Sequence, residues 1–202
     1  MRPYLSQPPH QPDHPTRMRP LLKIAAIALL TLGIPLTATA QSTMLETFEN
    51  TPETRWRFIA DTVMGGLSRG QVSFLAEGSN AFARLTGTVS TANNGGFIQM
   101  RMDLPAPPPA DATGLRLIVR GNDQRYFIHL RTAGTVLPWQ YYQAGFDAPG
   151  EWTDIRLPFS AFKPSGRLLR NTPRTTGIKS VGIVAFGRDH QAQVDVREIG
   201  FY

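Results

Sequence analysis

Guanidinium and imidazole groups are the side chains of this sequence best placed for recognition chemistry. Arg101, Arg116, Arg120, Arg125, His129 and Arg131 fall in or beside three successive segments, Phe97 to Leu104, Leu115 to Arg120 and Tyr126 to Arg131. In each, basic or amide residues alternate with apolar ones: Ile98, Met100 and Met102 against Gln99 and Arg101, for example. A planar guanidinium fork matches a carboxylate or phosphate, and the neighbouring Gln99, Gln140 and Gln143 could bond hydroxyls. If the segments pair as a meander, alternation puts all six basic residues on one outward face. The expected ligand of such a face is an acidic polysaccharide or an anionic protein segment. A solvated outer sheet accounts for the same pattern.

Aromatic residues supply a second kind of contact. Tyr126, Trp139, Tyr141, Tyr142 and Trp152 could stack on sugar rings or fill a core. Tyr141 and Tyr142 are consecutive, so in a regular strand they face opposite sides and at least one leaves the core.

Catalytic inventories are thin. The chain has no Cys, which excludes disulfides, thiol nucleophiles and Cys-based zinc sites. Beyond residue 40 only His129 and His190 remain, the latter in a polar stretch that reads as a hairpin turn. There is no Gly-x-Ser-x-Gly elbow, the strand faces carry almost no paired acids, and neither glycine pair leads into a helix as a nucleotide loop would. The expectation is a non-enzymatic protein with no cofactor and no bound transition metal; a structural calcium on loop oxygens stays open.

The elements that must position these groups are strands. Gly 18 and Pro 17 among 202 residues suit many short strands joined by turns. Period-2 patterns recur at 71–76, 81–89, 97–104, 115–120, 126–131, 139–146, 152–159, 178–186 and 194–202, with no amphipathic helical window between them. Nine strands so spaced predict an all-β chain folded as a single antiparallel β-sandwich.

The formal charge of +6 overstates the basic character of that domain. Arg2, Arg17, Arg19 and Lys23 against Asp13 place three of those charges in the first 40 residues. Residues 1–17 are proline-rich and read as a disordered extension or a mis-assigned start, Met18 being the cleaner one. Over 18–40, basic residues precede the apolar run Ile24 to Ile34, and Ala38-Thr39-Ala40 offers small residues for a signal peptidase. The expectation is a signal peptide, a domain over 41–202, and a periplasmic or secreted location. The run is too short to span a bilayer. Nucleic acid is not an expected partner, given the modest remaining charge.

Two glycine motifs are the least generic features. Trp56 precedes Asp61-x-x-Met64-Gly65-Gly66-x-Ser68, and Asn94-Gly95-Gly96-Phe97 follows. Both are expected to be architectural, Asp61 and Ser68 bonding locally around turns that the glycines allow. With Gly87-x-Val89-Ser90, Arg120-Gly121, Tyr126, Trp152 and Pro158-Phe159-x-x-Phe162, they occur in the order seen in the complex I intermediate-associated protein family, which this chain resembles from about residue 44 to 202. The resemblance implies a galactose-binding-like jelly roll, similar in shape to some carbohydrate-binding modules, with an assembly or chaperone-like, protein-binding role and no catalytic activity. That family is named for a mitochondrial NADH:ubiquinone oxidoreductase assembly factor working on the matrix side. An exported chain departs from that setting, so the assembly role does not carry over with the fold; a glycan, which the jelly-roll shape permits, is the alternative ligand.

Overall fold

The structure is a computed structural model and describes residues 43–202. The extension and signal peptide expected before them lie outside the described residues.

Twelve strands form two sheets, with five short 3-10 turns and no α-helix among the described residues. In chain order the strands are β1 (Thr43–Glu46), β2 (Trp56–Ala60), β3 (Arg69–Glu77), β4 (Asn80–Val89), β5 (Phe97–Asp103), β6 (Gly114–Gly121), β7 (Gln124–Thr132), β8 (Tyr142–Ala148), β9 (Thr153–Pro158), β10 (Lys163–Pro164), β11 (Ile178–Phe186) and β12 (His190–Phe201). The first sheet runs β3-β4-β12-β6-β9, with β1 also paired to β12; the second runs β10-β8-β7-β11-β5-β2. Every pairing is antiparallel, which gives the expected β-sandwich.

All nine expected strands are present, and β1, β2 and β10 are additional. β1 and β10 are too short to show a period. β2 alternates Trp56, Phe58 and Ala60 with Arg57 and Ile59, but it runs straight into the glycine motif and reads as part of that loop. The strand expected from Trp139 begins only at Tyr142. His190 opens β12 opposite Val89 rather than sitting in the turn before it.

The core lies between the sheets. Leu85, Leu115, Leu117, Val119, Val194 and Val196 of the first sheet meet Ile98, Met100, Tyr126, Ile128, Leu130 and Ile183 of the second in one buried cluster. A fully buried Leu or Ile contributes about 1.5–3 kcal/mol. Tyr126 also pins the layers together. Its hydroxyl donates to Asn122 Oδ1 at 2.6 Å and accepts the Gln193 amide of β12 at 2.8 Å. Burial pushes that phenol up to about 12.

One expectation fails. β5, β6 and β7 do not pair as a meander: β5 and β7 flank β11 in the second sheet, while β6 lies between β12 and β9 in the first. The proline-rich connection after β5 carries the chain from one layer to the other. Each sheet has one face on the core, so strands in either layer alternate identically and the shared pattern does not make them neighbours.

Candidate ligand-binding face

Register across the second sheet aligns one row of outward positions. Arg57 opposes Arg101, Arg101 opposes Gly182, Gly182 opposes His129, His129 opposes Gln143, and Gln143 opposes Lys163. Cross-strand partners point to the same side, so five side chains and one bare glycine share a line across all six strands. At Gly182 a Cβ would meet Gln99 Oε1 at 2.9 Å, so the amide of Gln99 leans over the gap that the glycine leaves.

Beside this row the aromatic groups assemble. The imidazole of His129 stacks on the Tyr141 ring with centroids 3.9 Å apart and planes 9° from parallel. Phe186 meets both edge-on, and Phe127 meets Phe186. His129 is buried by these neighbours, which pushes its pKa down to about 3 and keeps the ring neutral at physiological pH. Its Nε2 has no hydrogen-bond partner. Tyr141 keeps part of its ring in solvent while Tyr142 enters the core, the division that their consecutive positions require.

Arg101 occupies the other half of the row. Its Nε is buried without a partner. Burial lowers its pKa, and the nearby charges of Arg57 and Arg131 lower it further, against a smaller opposing effect of Asp103. Arg57 is occupied by Asp103 at 2.8 Å. Arg131 is turned inward to its own loop, donating to the carbonyls of Thr135, Leu137 and Pro138. Gln140 closes the same loop by accepting the Leu137 amide. Arg125 lies over Gly145 and reaches Asp147 at 3.4 Å.

Arg116 and Arg120 stand on the opposite side of the molecule, on the outer face of the first sheet, and both are neutralised there. Arg116 bridges Asp154 and Glu198, each at 2.9 Å. Arg120 shares the buried carboxylate of Asp195 with Arg84 and reaches Glu77. Trp152 lies among these cations, with the guanidinium carbons of Arg120 and Arg197 at 4.5 and 4.9 Å from its ring and Phe82 edge-on. Its π-surface is already engaged. The expected six-residue basic face therefore divides, because β6 belongs to the other layer; Arg101, His129, Arg131, Arg125, Gln99, Gln143 and Tyr141 are together, and Arg116 and Arg120 are not.

The glycine motifs converge on Asp61, whose side chain is 0% exposed. It accepts the Ser68 hydroxyl and amide and the amides of Gly96 and Phe97. Burial alone would raise this carboxyl, but the four hydrogen bonds outweigh that and hold it below its ordinary value. A Cβ at Gly66 or Gly95 would fall on the carboxyl group itself, whereas Gly65 has open space and a φ of +89°. The loop also leaves Val63, Met64 and Leu67 exposed, at 72%, 63% and 52%. Met64 thus lies outside the packing that its motif organises. Trp56 is buried and donates to Glu46, a carboxylate that also takes Arg55.

Five members of the face escape a reading of the sequence: Arg57, Phe127, Lys163, Gly182 and Phe186. Gly182 carried the best signal, a glycine inside the apolar run from Val181 to Ala185. Among the described residues, no three His, Asp or Glu side chains gather as metal ligands would.

The family described as Complex I intermediate-associated protein 30 (CIA30) matches residues 46–196. The chain belongs to the CIA30 family. No curated protein shows a significant sequence match to it. The CIA30 domain is similar in structure to the family 11 carbohydrate-binding module from Clostridium thermocellum, seen in complex with a β-1,3-1,4-mixed-linked tetrasaccharide, with TM-score 0.64 and 15% identity over 79% of this chain and 94% of that one. The family 11 module of the cellulosomal cellulase Lic26A-Cel5E of the same organism gives TM-score 0.65 and 15% identity, covering 80% and 94%. An exo-β-agarase gives TM-score 0.55 and 10% identity, covering 80% of this chain and 25% of that one. These likenesses show that the CIA30 domain shares its β-sandwich fold with them.

Proposed function

We infer that this protein is a non-enzymatic binding domain that takes a glycan on the outer face of its second sheet. The observation that carries this reading is the Tyr141 ring, backed by His129, lying beside a row of hydrogen-bonding groups at Gln99, Arg101 and Gln143. A partly exposed aromatic ring with polar groups around it is what sugar recognition needs: the ring covers the apolar face of a pyranose, and the polar groups bond its hydroxyls. The sandwich shared with carbohydrate-binding modules supports the reading. Affinity electrophoresis through gels containing soluble polysaccharides tests it. Retardation that Tyr141→Ala removes without lowering the melting temperature is the expected result; no retardation in any polysaccharide overturns it.

A protein partner is the second reading, favoured by exposed Val63, Met64 and Leu67 on the glycine loop and by the association with complex I intermediates in the family's description. Charged replacements at Met64 and Leu67 abolish partner capture on that reading and leave glycan binding intact.

The signal-like segment supports export, with cleavage after Ala40 and a working protein in the periplasm or outside the cell. N-terminal sequencing of the envelope fraction checks this; full-length protein found only in the cytoplasm contradicts it.

A further inference from the structure

Among the described residues, the half-buried arginines are nearly all satisfied by the protein. Arg84, Arg116 and Arg120 face acids, Arg131 faces three carbonyls and Arg188 bonds Gln124. Arg197, like Arg101, leaves its Nε buried without a hydrogen-bond partner, but its guanidinium lies against Trp152. Arg101 makes no ion pair, no carbonyl hydrogen bond and no ring contact among the described residues, and the nearby Asp103 is held by Arg57. The Arg101 Nε is withdrawn from water without a partner, which is costly, while the residue as a whole is only half-buried and remains open to a ligand; an anion seated there would pair it.

The surroundings of Arg101 fit this. It lines a shallow cavity of ≈ 230 Å³ with Arg131, Lys179, Ser180, Thr132, Thr135 and Asp103. Three cations thus face one carboxylate, and Arg57 already holds that carboxylate. Across Gly182, two strand spacings or about 10 Å away, His129 Nε2 is a second buried polar atom without a partner. Neutral imidazole suits a hydroxyl; a guanidinium fork suits an oxyanion.

We propose that Arg101 is the anion subsite of this face and that the ligand is an acidic glycan, its carboxylate or sulfate group seated on Arg101 while an adjoining ring covers Tyr141. The proposal rests on the glycan reading above and specifies its ligand class. Charge decides between glycans that share a backbone shape: a neutral chain leaves Arg101 unsatisfied, and an acidic one pairs it.

The test is titration calorimetry of the protein with polygalacturonate and a sulfated galactan, the two sources of the anion, beside methyl-esterified pectin and a neutral β-glucan. At least one acidic chain should bind about ten- to hundredfold more tightly than its neutral counterparts, the range expected of one charge-assisted pair. Arg101→Gln should erase that preference and keep the weaker neutral binding, whereas Arg167→Gln, at an exposed cation in the loop after β10, should change nothing. Arg101→Lys keeps the charge without the fork and should fall between them; melting curves on all variants show that the fold is kept. Equal binding of acidic and neutral chains, or a preference that survives in Arg101→Gln or is lost equally in Arg167→Gln, overturns the anion subsite and leaves the glycan reading standing. Failure of every polysaccharide to bind overturns both.

Discussion

Asp61 Oδ2 accepts the amide of Gly96 at 2.5 Å, across 35 residues of chain, and through this bond the first glycine motif holds the second. The same carboxylate takes Ser68 and Phe97, so four donors depend on one side chain. Asp61→Ala leaves several of them unpartnered in a buried place and should destabilise the fold by about 3 kcal/mol or more. Chemical denaturation measures this directly, and a loss under about 1 kcal/mol would mean that water replaces the carboxylate.

The glycines around Asp61 should separate by mechanism. Alanine at Gly66 or Gly95 puts a methyl group on the carboxyl and forces the network apart. At Gly65 alanine meets nothing and incurs only the strain of a positive φ, about 1 kcal/mol. Melting temperatures should therefore fall further for Gly66→Ala and Gly95→Ala than for Gly65→Ala. An inverted order would mean that backbone conformation, not space, fixes these positions.

Burial gives His129 a pH signature. The unfolded imidazole takes up a proton near pH 6.5, and the folded one only near 3. Between these values the unfolded chain binds the extra proton, so the contribution of neutral His129 is complete above pH 6.5 and is lost progressively as pH falls to 3, at up to about 1.4 kcal/mol per unit. His190 is shifted in the same direction by burial and adds to the slope. His129→Phe keeps an aromatic ring against Tyr141 and removes the titration. Its melting temperature should fall less steeply than the parent's between pH 6.5 and 4.5; parallel slopes would show that His129 protonates without unfolding.

On the first sheet the prediction is stability without recognition. Asp195 is 2% exposed and holds Arg84 and Arg120 at 2.7 and 2.9 Å. Asp195→Ala leaves two guanidinium groups facing each other and should cost about 3 kcal/mol. Ligand affinity on the opposite layer should not change at temperatures where the variant is folded, which a titration of parent and variant with the same polysaccharide determines.

Much of the sandwich was legible in the sequence because alternation reports burial on one face, and every segment that alternates over six or more residues is a strand. What alternation cannot report is which layer a strand joins. Phe97 to Leu104 and Leu115 to Arg120 look alike, yet they lie in different sheets because pairing is decided by strands far along the chain. The fate of each cation is hidden for the same reason: Arg120 is neutralised by Asp195 and Arg116 by Glu198, 75 and 82 residues away. Tyr141 and His129 stood out by residue type. Their stacking did not, since it depends on a loop turning Tyr141 back beside β7.

The placing of β12 bears on how the chain reaches this state. β12 is the last strand described, and it is the hub of the first sheet, pairing with β4, β6 and β1. Until it is made, β4 and β6 have no common neighbour to pair with, and Tyr126 lacks the Gln193 amide that it accepts. Assembly of that layer waits on synthesis of β12, and contacts of such wide sequence separation close in milliseconds to seconds rather than microseconds. A ribosome-bound chain halted before residue 190 should remain protease-sensitive throughout, with its apolar strand faces open to whatever chaperone or transport machinery receives it.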